Sequence, residues 1–279
     1  MLRKHLTTAL LCLLFGAGVC LLAYPSVSDW WNSFHQSRAI LNYAETVSGM
    51  DTSEYDRLIG EAEEYNRALS RTGVRWKLTD AEKEIYRHTL DFNSTGAMGY
   101  LDIPKIRVSL PVYHGVNESV LQTSIGHIEG TSLPVGGEGS HCVLSGHRGL
   151  PSARLFTDLD RLAVGDTWTI TILNETLTYE CDQILVVLPE DISPIRIFPG
   201  QDYCTLLTCT PYGINTHRLL VRGHRIRNAQ GEARVTADAI QIDTIYTAPF
   251  FAVPVLILLM LRILTAPPKR RRAEEGDFL

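Results

Sequence analysis

Apolar residues fall into three regimes along this chain. Two blocks are almost wholly apolar: residues 6–24 (LTTALLCLLFGAGVCLLAY), which carry no charge, and residues 248–265 (APFFAVPVLILLMLRILT), interrupted only by Arg262. The first is about as long as the ~20 residues a helix needs to cross a bilayer. In the second, Arg262 lies near enough to the end to snorkel to the headgroups. From Asp51 the pattern changes. Asp51 and Glu54 form a capping-box-like start, and Tyr55, Leu58, Ile59, Ala62, Tyr65 and Leu69 recur at spacings of three and four. That period predicts a helix, and residues 25–70 as a whole read as helical. Residues 71–97 are polar and broken, with a short helix expected near 79–90.

A third regime begins at Met98, where short apolar runs alternate with turn residues. Strands are expected near 98–103, 106–113, 141–146, 167–173, 176–188, 203–209 and 216–226, punctuated by Ile103-Pro104, Gly136-Gly137, Gly165-Asp166, Asn174-Glu175 and Pro199-Gly200. Many short strands with few helices predict a mainly β fold, a closed or nearly closed barrel. The chain then divides into a short cytoplasmic end and first transmembrane helix (1–24), a helical extension (25–97), a β-barrel domain (98–228), a tether (229–246), a second transmembrane helix (247–265) and a basic tail (266–279).

Charge refines this layout. Arg3, Lys4 and His5 precede the first apolar block, and Lys269 to Arg272 follow the second. Such flanking cations predict both termini in the cytoplasm and residues 25–245 outside, a two-pass membrane protein with an extracellular barrel. No small-x-small cleavage site follows the first block, and Val19 occupies a position where a lipobox wants a small residue. An anchor therefore fits better than a cleaved signal. The net charge of −5 leaves no footprint for nucleic acid, and the one basic cluster is explained by topology.

Cysteine use narrows the chemistry. Cys12 and Cys20 sit in the first apolar block, while Cys142, Cys181 and Cys204 each lie in an apolar, strand-like run. Two disulfides among the four outer cysteines are conceivable, but these three read more simply as small buried hydrophobes. There is no CxxC and no Cys/His cluster at zinc spacing. Cys209 differs: in TLLTCTPYGINTHRLLVRGHR (205–225) it closes one strand, and Arg218 opens the next nine positions later. If those strands pair as antiparallel neighbours, a thiol and a permanent cation meet at one end of the sheet. Such a cation stabilises a thiolate, or the oxyanion formed when it attacks a carbonyl. The proton shuttle that this chemistry needs is best supplied by His147, which follows an apolar strand in HCVLSGHRG. His141 is the weaker competitor, and alternation sends His217 to the face opposite Arg218. Spacing alone leaves a core thiol, a surface arginine and a turn histidine as open alternatives.

The same residues carry a family resemblance. TLLTC with TPYGINTHRLLVRG resembles the TLxTC…R signature of sortases, the membrane-anchored cysteine transpeptidases of Gram-positive surfaces. LSGHRGLPSARLFTDLDRLAVGD resembles their histidine-bearing segment, and GYLDIPKIRVSLPVYHG and GHIEGTSLPVGG look like their opening barrel strands. The helical leader, CTPYG after the nucleophile and the second apolar block resemble class C, the pilin-polymerising members. The resemblance implies an eight-stranded barrel with Cys209 as nucleophile, His147 as general acid/base and Arg218 on the oxyanion side. It implies no metal or organic cofactor. The implied partners are pilin subunits and other surface proteins with a C-terminal LPxTG-like sorting signal, joined through a pilin lysine. A housekeeping-type sortase using a cell-wall precursor amine, a thiol protease and a non-catalytic membrane-tethered assembly module are the alternatives. Class C members usually carry a lid with an Asp-Pro-aromatic motif; here the matching segment reads Asp80-Ala81-Glu82. Asp80 is expected to latch onto Arg218, with Trp76 as a substitute plug, unless Asp80 only caps a helix and Trp76 packs on the barrel.

Overall fold

Helix α1 (Leu2–Ser48) runs without interruption through the first apolar block and on into the helical extension, with Pro25 inside it. The expected boundary at 24/25 therefore falls within one helix. The computed structural model describes residues 2–92, 96–228 and Arg262. The expected tether, second span and tail lie outside the described residues, apart from Arg262. The stretch Leu6–Ser48 is long and apolar enough to cross a membrane, with a mean hydropathy of 2.3 in its best window. Tyr24–Arg234 form one compact unit, and Met1–Ala23 belong to another.

The expected helicity of 25–70 is broken once. Gly49 closes α1, and Asp51 starts α2 (Thr52–Thr72) by accepting a hydrogen bond from the Glu54 N–H. A short acceptor side chain at this position satisfies one of the helix's orphan amides. Leu58, Ala62 and Leu69 form the buried stripe of α2, together with Asn66. The Asn66 amide pairs with both backbone groups of Leu133, accepting from its N–H at 2.7 Å and donating to its carbonyl at 3.0 Å. Helix α2 is thus bound to a barrel loop by a polar contact as well as an apolar one.

Helix α3 (Asp80–His88) has a complete capping box. Thr79 Oγ1 accepts from the Glu82 N–H, and Glu82 accepts from the Thr79 N–H at 2.7 Å. Thr79, not Asp80, is therefore the cap. The buried Tyr86 docks this helix: its hydroxyl lies 2.9 Å from His127 Nδ1 and accepts from the Gly115 N–H at 3.0 Å.

Eight strands follow: β1 (Ala97–Ile103), β2 (Val108–His114), β3 (Ile125–His127), β4 (Ser140–Ser145), β5 (Thr167–Ile172), β6 (Glu175–Val187), β7 (Asp202–Thr210) and β8 (His217–Ile226), with a single helical turn α4 (Glu118–Leu121) before β3. They close in the order β1-β2-β3-β4-β7-β8-β6-β5. Seven match the expected runs. The eighth, β3, spans three residues, too few for an alternating pattern to register. The β2–β3 and β4–β7 pairs are parallel and the others antiparallel. Inward-facing Leu101, Ile103, Leu144, Trp168, Tyr179, Leu206 and Val221 are wholly buried and fill the barrel. Gly223 makes room for the largest of them, since a Cβ there would stand 2.6 Å from the Trp168 ring.

Candidate active site

Alternation along β7 sorts its residues into two sets. Cys204 and Leu206 belong to the barrel core, while Leu207 joins a separate apolar cluster on the outer face with Val143, Ile195 and Leu220. Cys209, two residues beyond Leu207, points to that outer face. The β7–β8 register sets Cys209 directly opposite Arg218. Opposed residues of an antiparallel pair have Cβ atoms about 4.5–5.5 Å apart on the same face, which puts the guanidinium within reach of the thiol. Arg218 Nη1 donates to the carbonyls of Asn215 at 3.2 Å and His217 at 3.0 Å. These bonds orient the fork at the turn between the two strands. The nine-residue separation of Cys209 and Arg218 is therefore a strand–turn–strand hairpin in which this pair is the rung next to the last, Thr210–His217.

His147 arrives by a different route. Strand β4 runs parallel to β7, with Ser145 beside Leu207. The Gly146 N–H then donates to the Leu207 carbonyl at 3.1 Å, and Thr208 Oγ1 donates to the Gly146 carbonyl at 2.7 Å. The chain leaves β4 locked against β7, and His147 emerges at the end of the sheet where Cys209 sits. Its side chain is 30% exposed, and its Nε2 lies 3.8 Å from Glu118 Oε2. Glu118 opens α4, and sequence reasoning missed it because nothing in its own segment marks it.

The competing histidine is committed elsewhere. His141 is wholly buried, with Nδ1 2.7 Å from the Arg196 carbonyl and Nε2 2.8 Å from Thr205 Oγ1. Burial pushes its pKa down to about 4, against the opposing pull of the Arg196 hydrogen bond. Its role is to pin the β6–β7 connection to the barrel. The same connection is held by an aromatic–cation stack, with the Arg196 guanidinium 4.8 Å from the Phe198 ring centre and that of Arg222 4.3 Å from Tyr203. Ile195, on this connection, covers the outer apolar cluster, and Ile128, Leu185 and Val187 pack around it. A small apolar cluster is thus buried beneath this connection on the outer face of the barrel.

The expected latch is not assembled. Residues 128–132 run back alongside β4, the Ile128 N–H bonding to the Val143 carbonyl and the Ser132 N–H to that of His141. Arg75 donates from its backbone N–H to the Gly130 carbonyl at 2.9 Å, so the segment carrying Trp76 is held near the start of β4. His147 and Cys209 lie beyond the other end of that strand. Trp76 is half-exposed. The Asp80 carboxylate is fully exposed and lies 3.8 Å from Lys83 Nζ. The structure does not bring Asp80 and Arg218 together. Helix α3 is seated by Tyr86 on His127, with Asp80 on its solvent side. Cys142, Cys181 and Cys204 are free and buried, as the sequence pattern indicated.

The comparisons with known proteins converge. Residues 101–226 match a family model described as the sortase domain. Sortase D of Bacillus subtilis (strain 168) is 30% identical over 133 residues, which cover 47% of this chain and 64% of that relative. The chain is thus matched over somewhat less than two thirds of that relative's length. Among solved structures, sortase C1 from Streptococcus agalactiae is 56% identical, covering 69% of this chain and 100% of the other with a TM-score of 0.68. Sortase C from Streptococcus pneumoniae is 43% identical, covering 68% and 97% with a TM-score of 0.62.

Proposed function

The chain belongs to the sortase family, and from that membership and the geometry above we propose that it is a pilin-type cysteine transpeptidase whose nucleophile is Cys209. The observation that carries this reading is the pairing of Cys209 with Arg218 near the turn end of the β7–β8 hairpin, with His147 delivered to the same end by β4. In this mechanism the Cys209 thiolate attacks the carbonyl of the Thr–Gly bond in an LPxTG-like sorting signal. Arg218 offers its guanidinium to the oxyanion. His147 gives a proton to the departing glycine amine, leaving a thioacyl-enzyme. A lysine amine of the next pilin subunit, deprotonated by His147, then displaces the thiolate and forms an isopeptide bond. Two chemical steps through a covalent intermediate give ping-pong kinetics.

Solved neighbours named sortase C support the pilin-type reading over attachment to a cell-wall precursor. The apolar helix at Leu6–Ser48 fits a membrane anchor; the second span and the two-pass topology with an extracellular barrel are part of the same proposal.

The test is mass spectrometry of the soluble ectodomain incubated with an LPxTG-type peptide, with and without a pilin-derived lysine peptide, beside Cys209→Ala. The expected result is a thioacyl adduct on Cys209 that passes to the lysine amine and is lost in the variant. An adduct lost only to water would replace the transpeptidase with a hydrolase. An adduct that survives in Cys209→Ala would overturn the assignment of the nucleophile.

A further inference from the structure

The residue after the histidine carries an arrangement that the mechanism above leaves unused. Arg148 has only 9% of its side chain exposed, yet its guanidinium reaches three acceptors on two segments. Nε donates to the Thr157 carbonyl at 3.2 Å, Nη1 to Thr210 Oγ1 at 3.2 Å, and Nη2 to the Asp160 carboxylate at 2.6 Å. Two of these contacts lie within the loop that follows His147. The third is to the residue that follows Cys209.

The loop is closed around the same point. The Phe156 N–H donates to the His147 carbonyl at 3.1 Å, and the Gly149 N–H donates to Thr157 Oγ1 at 3.1 Å. Gly149 has φ +78°, and a Cβ there would stand 2.8 Å from the Tyr212 ring. The loop therefore packs directly on the turn that leaves β7. A planar, permanently charged fork holds three acceptors at fixed angles, which a single ammonium cannot do.

We infer that Arg148 is a positioning residue: by joining the His147 loop to Thr210 it sets the spacing between His147 and Cys209. This rests on the roles proposed for those two residues. The Arg148 guanidinium touches neither the thiol nor the substrate; it acts through the backbones of its neighbours. Hydrogen bonds between β4 and β7 end at Gly146 and Thr208, so beyond them the Arg148–Thr210 bond is the side-chain tie between the two reacting segments. A slack of a few tenths of an ångström there would fall directly on the Cys209–His147 distance, to which proton transfer is steeply sensitive.

The test uses Arg148→Lys, which keeps the charge beside Asp160 but not the fork, and Thr210→Val, which removes only the acceptor next to Cys209. Two readouts are taken. The first is the pH profile of Cys209 alkylation by iodoacetamide, located by mass spectrometry, which needs no peptide substrate. The second is cleavage of the LPxTG-type peptide. Both variants are expected to shift the alkylation profile of Cys209 in the same direction. Each should lower kcat about tenfold with little change in KM, and the double variant should be no worse than the poorer single one. Melting temperatures and circular dichroism fix the folded fraction. Alkylation profiles that superimpose on the wild type in Thr210→Val would overturn the inference, as would kcat losses that multiply or that only track the unfolded fraction. If the wild-type protein forms no thioacyl adduct at all, the function proposed above fails while the alkylation profiles still decide the role of Arg148.

Discussion

Mild acidification should destabilise the barrel unit, because two histidines are buried in neutral form. Desolvation pushes the pKa of His127 down to about 4, overriding the Ser132 hydrogen bond that pulls it up. His141 is pushed down to about 4 by the same cause. Both start from an ordinary value of 6.5. The folded state therefore binds protons more weakly than the unfolded one. Stability is fully present above the unfolded pKa and is lost as pH falls from 6.5 through 4. One unit of pKa difference corresponds to about 1.4 kcal/mol, so each histidine can cost on the order of 3 kcal/mol once both states are protonated. Between pH 7 and pH 5 the same linkage gives about 2 kcal/mol each, or roughly 4 kcal/mol for the pair. That is a large part of a typical domain stability of about 5–15 kcal/mol.

Urea unfolding of the Tyr24–Arg234 unit at pH 7, 6 and 5 would measure this, with the fluorescence of the buried Trp168 among the signals. His127→Gln and His141→Gln will each lower stability at pH 7, because both rings are hydrogen-bonded in the core. The diagnostic is the difference between pH 7 and pH 5, which should shrink by about 2 kcal/mol in each variant. Asp102 and Asp202, raised by burial, act in the opposite sense, toward the acid end of the range. A wild-type drop below about 1 kcal/mol over that interval would refute the reasoning, as would an unchanged drop in both variants.

Asp80→Ala should leave basal cleavage of a sorting peptide at the wild-type rate, since the carboxylate is exposed beside Lys83 and away from Arg218; a rise of severalfold would restore the latch. Asn66→Ala should lower the stability of the barrel unit by about 1–3 kcal/mol, because it strands the buried Leu133 backbone N–H and carbonyl that the amide now satisfies. Thermal unfolding checks this, and a change under about 0.5 kcal/mol would mean that water replaces the amide.

Much of the architecture is written locally. The three-and-four spacing from Tyr55 to Leu69 is enough to make α2, and Asp51 marks its start. Alternation in 203–209 and 216–226, joined by a short turn, is enough to make a hairpin, and the hairpin alone sets Cys209 against Arg218. The free, buried state of Cys142, Cys181 and Cys204 follows from the apolar runs that contain them. Signals of this kind depend on neighbours a few residues apart, so a linear reading captures them.

Other features depended on contacts that no local pattern encodes. His147 comes to the Cys209 end of the sheet only because β4 pairs in parallel with a strand more than fifty residues later in the chain. His141 and His147 share a face of the same run; what separates them is that the β6–β7 connection folds over His141 and bonds its ring. Asp80 sits in the segment that resembles a lid, but the Arg75–Gly130 backbone bond and the docking of Tyr86 on His127 fix where that segment lies, and its carboxylate faces solvent beside Lys83. Glu118 and the Arg148–Thr210 tie were equally invisible, each joining segments remote in sequence. Periodicity and capping act through local backbone geometry, so the sequence alone determines them. Pairing, burial and side-chain bridges depend on which surfaces meet, and only the closed barrel decides that.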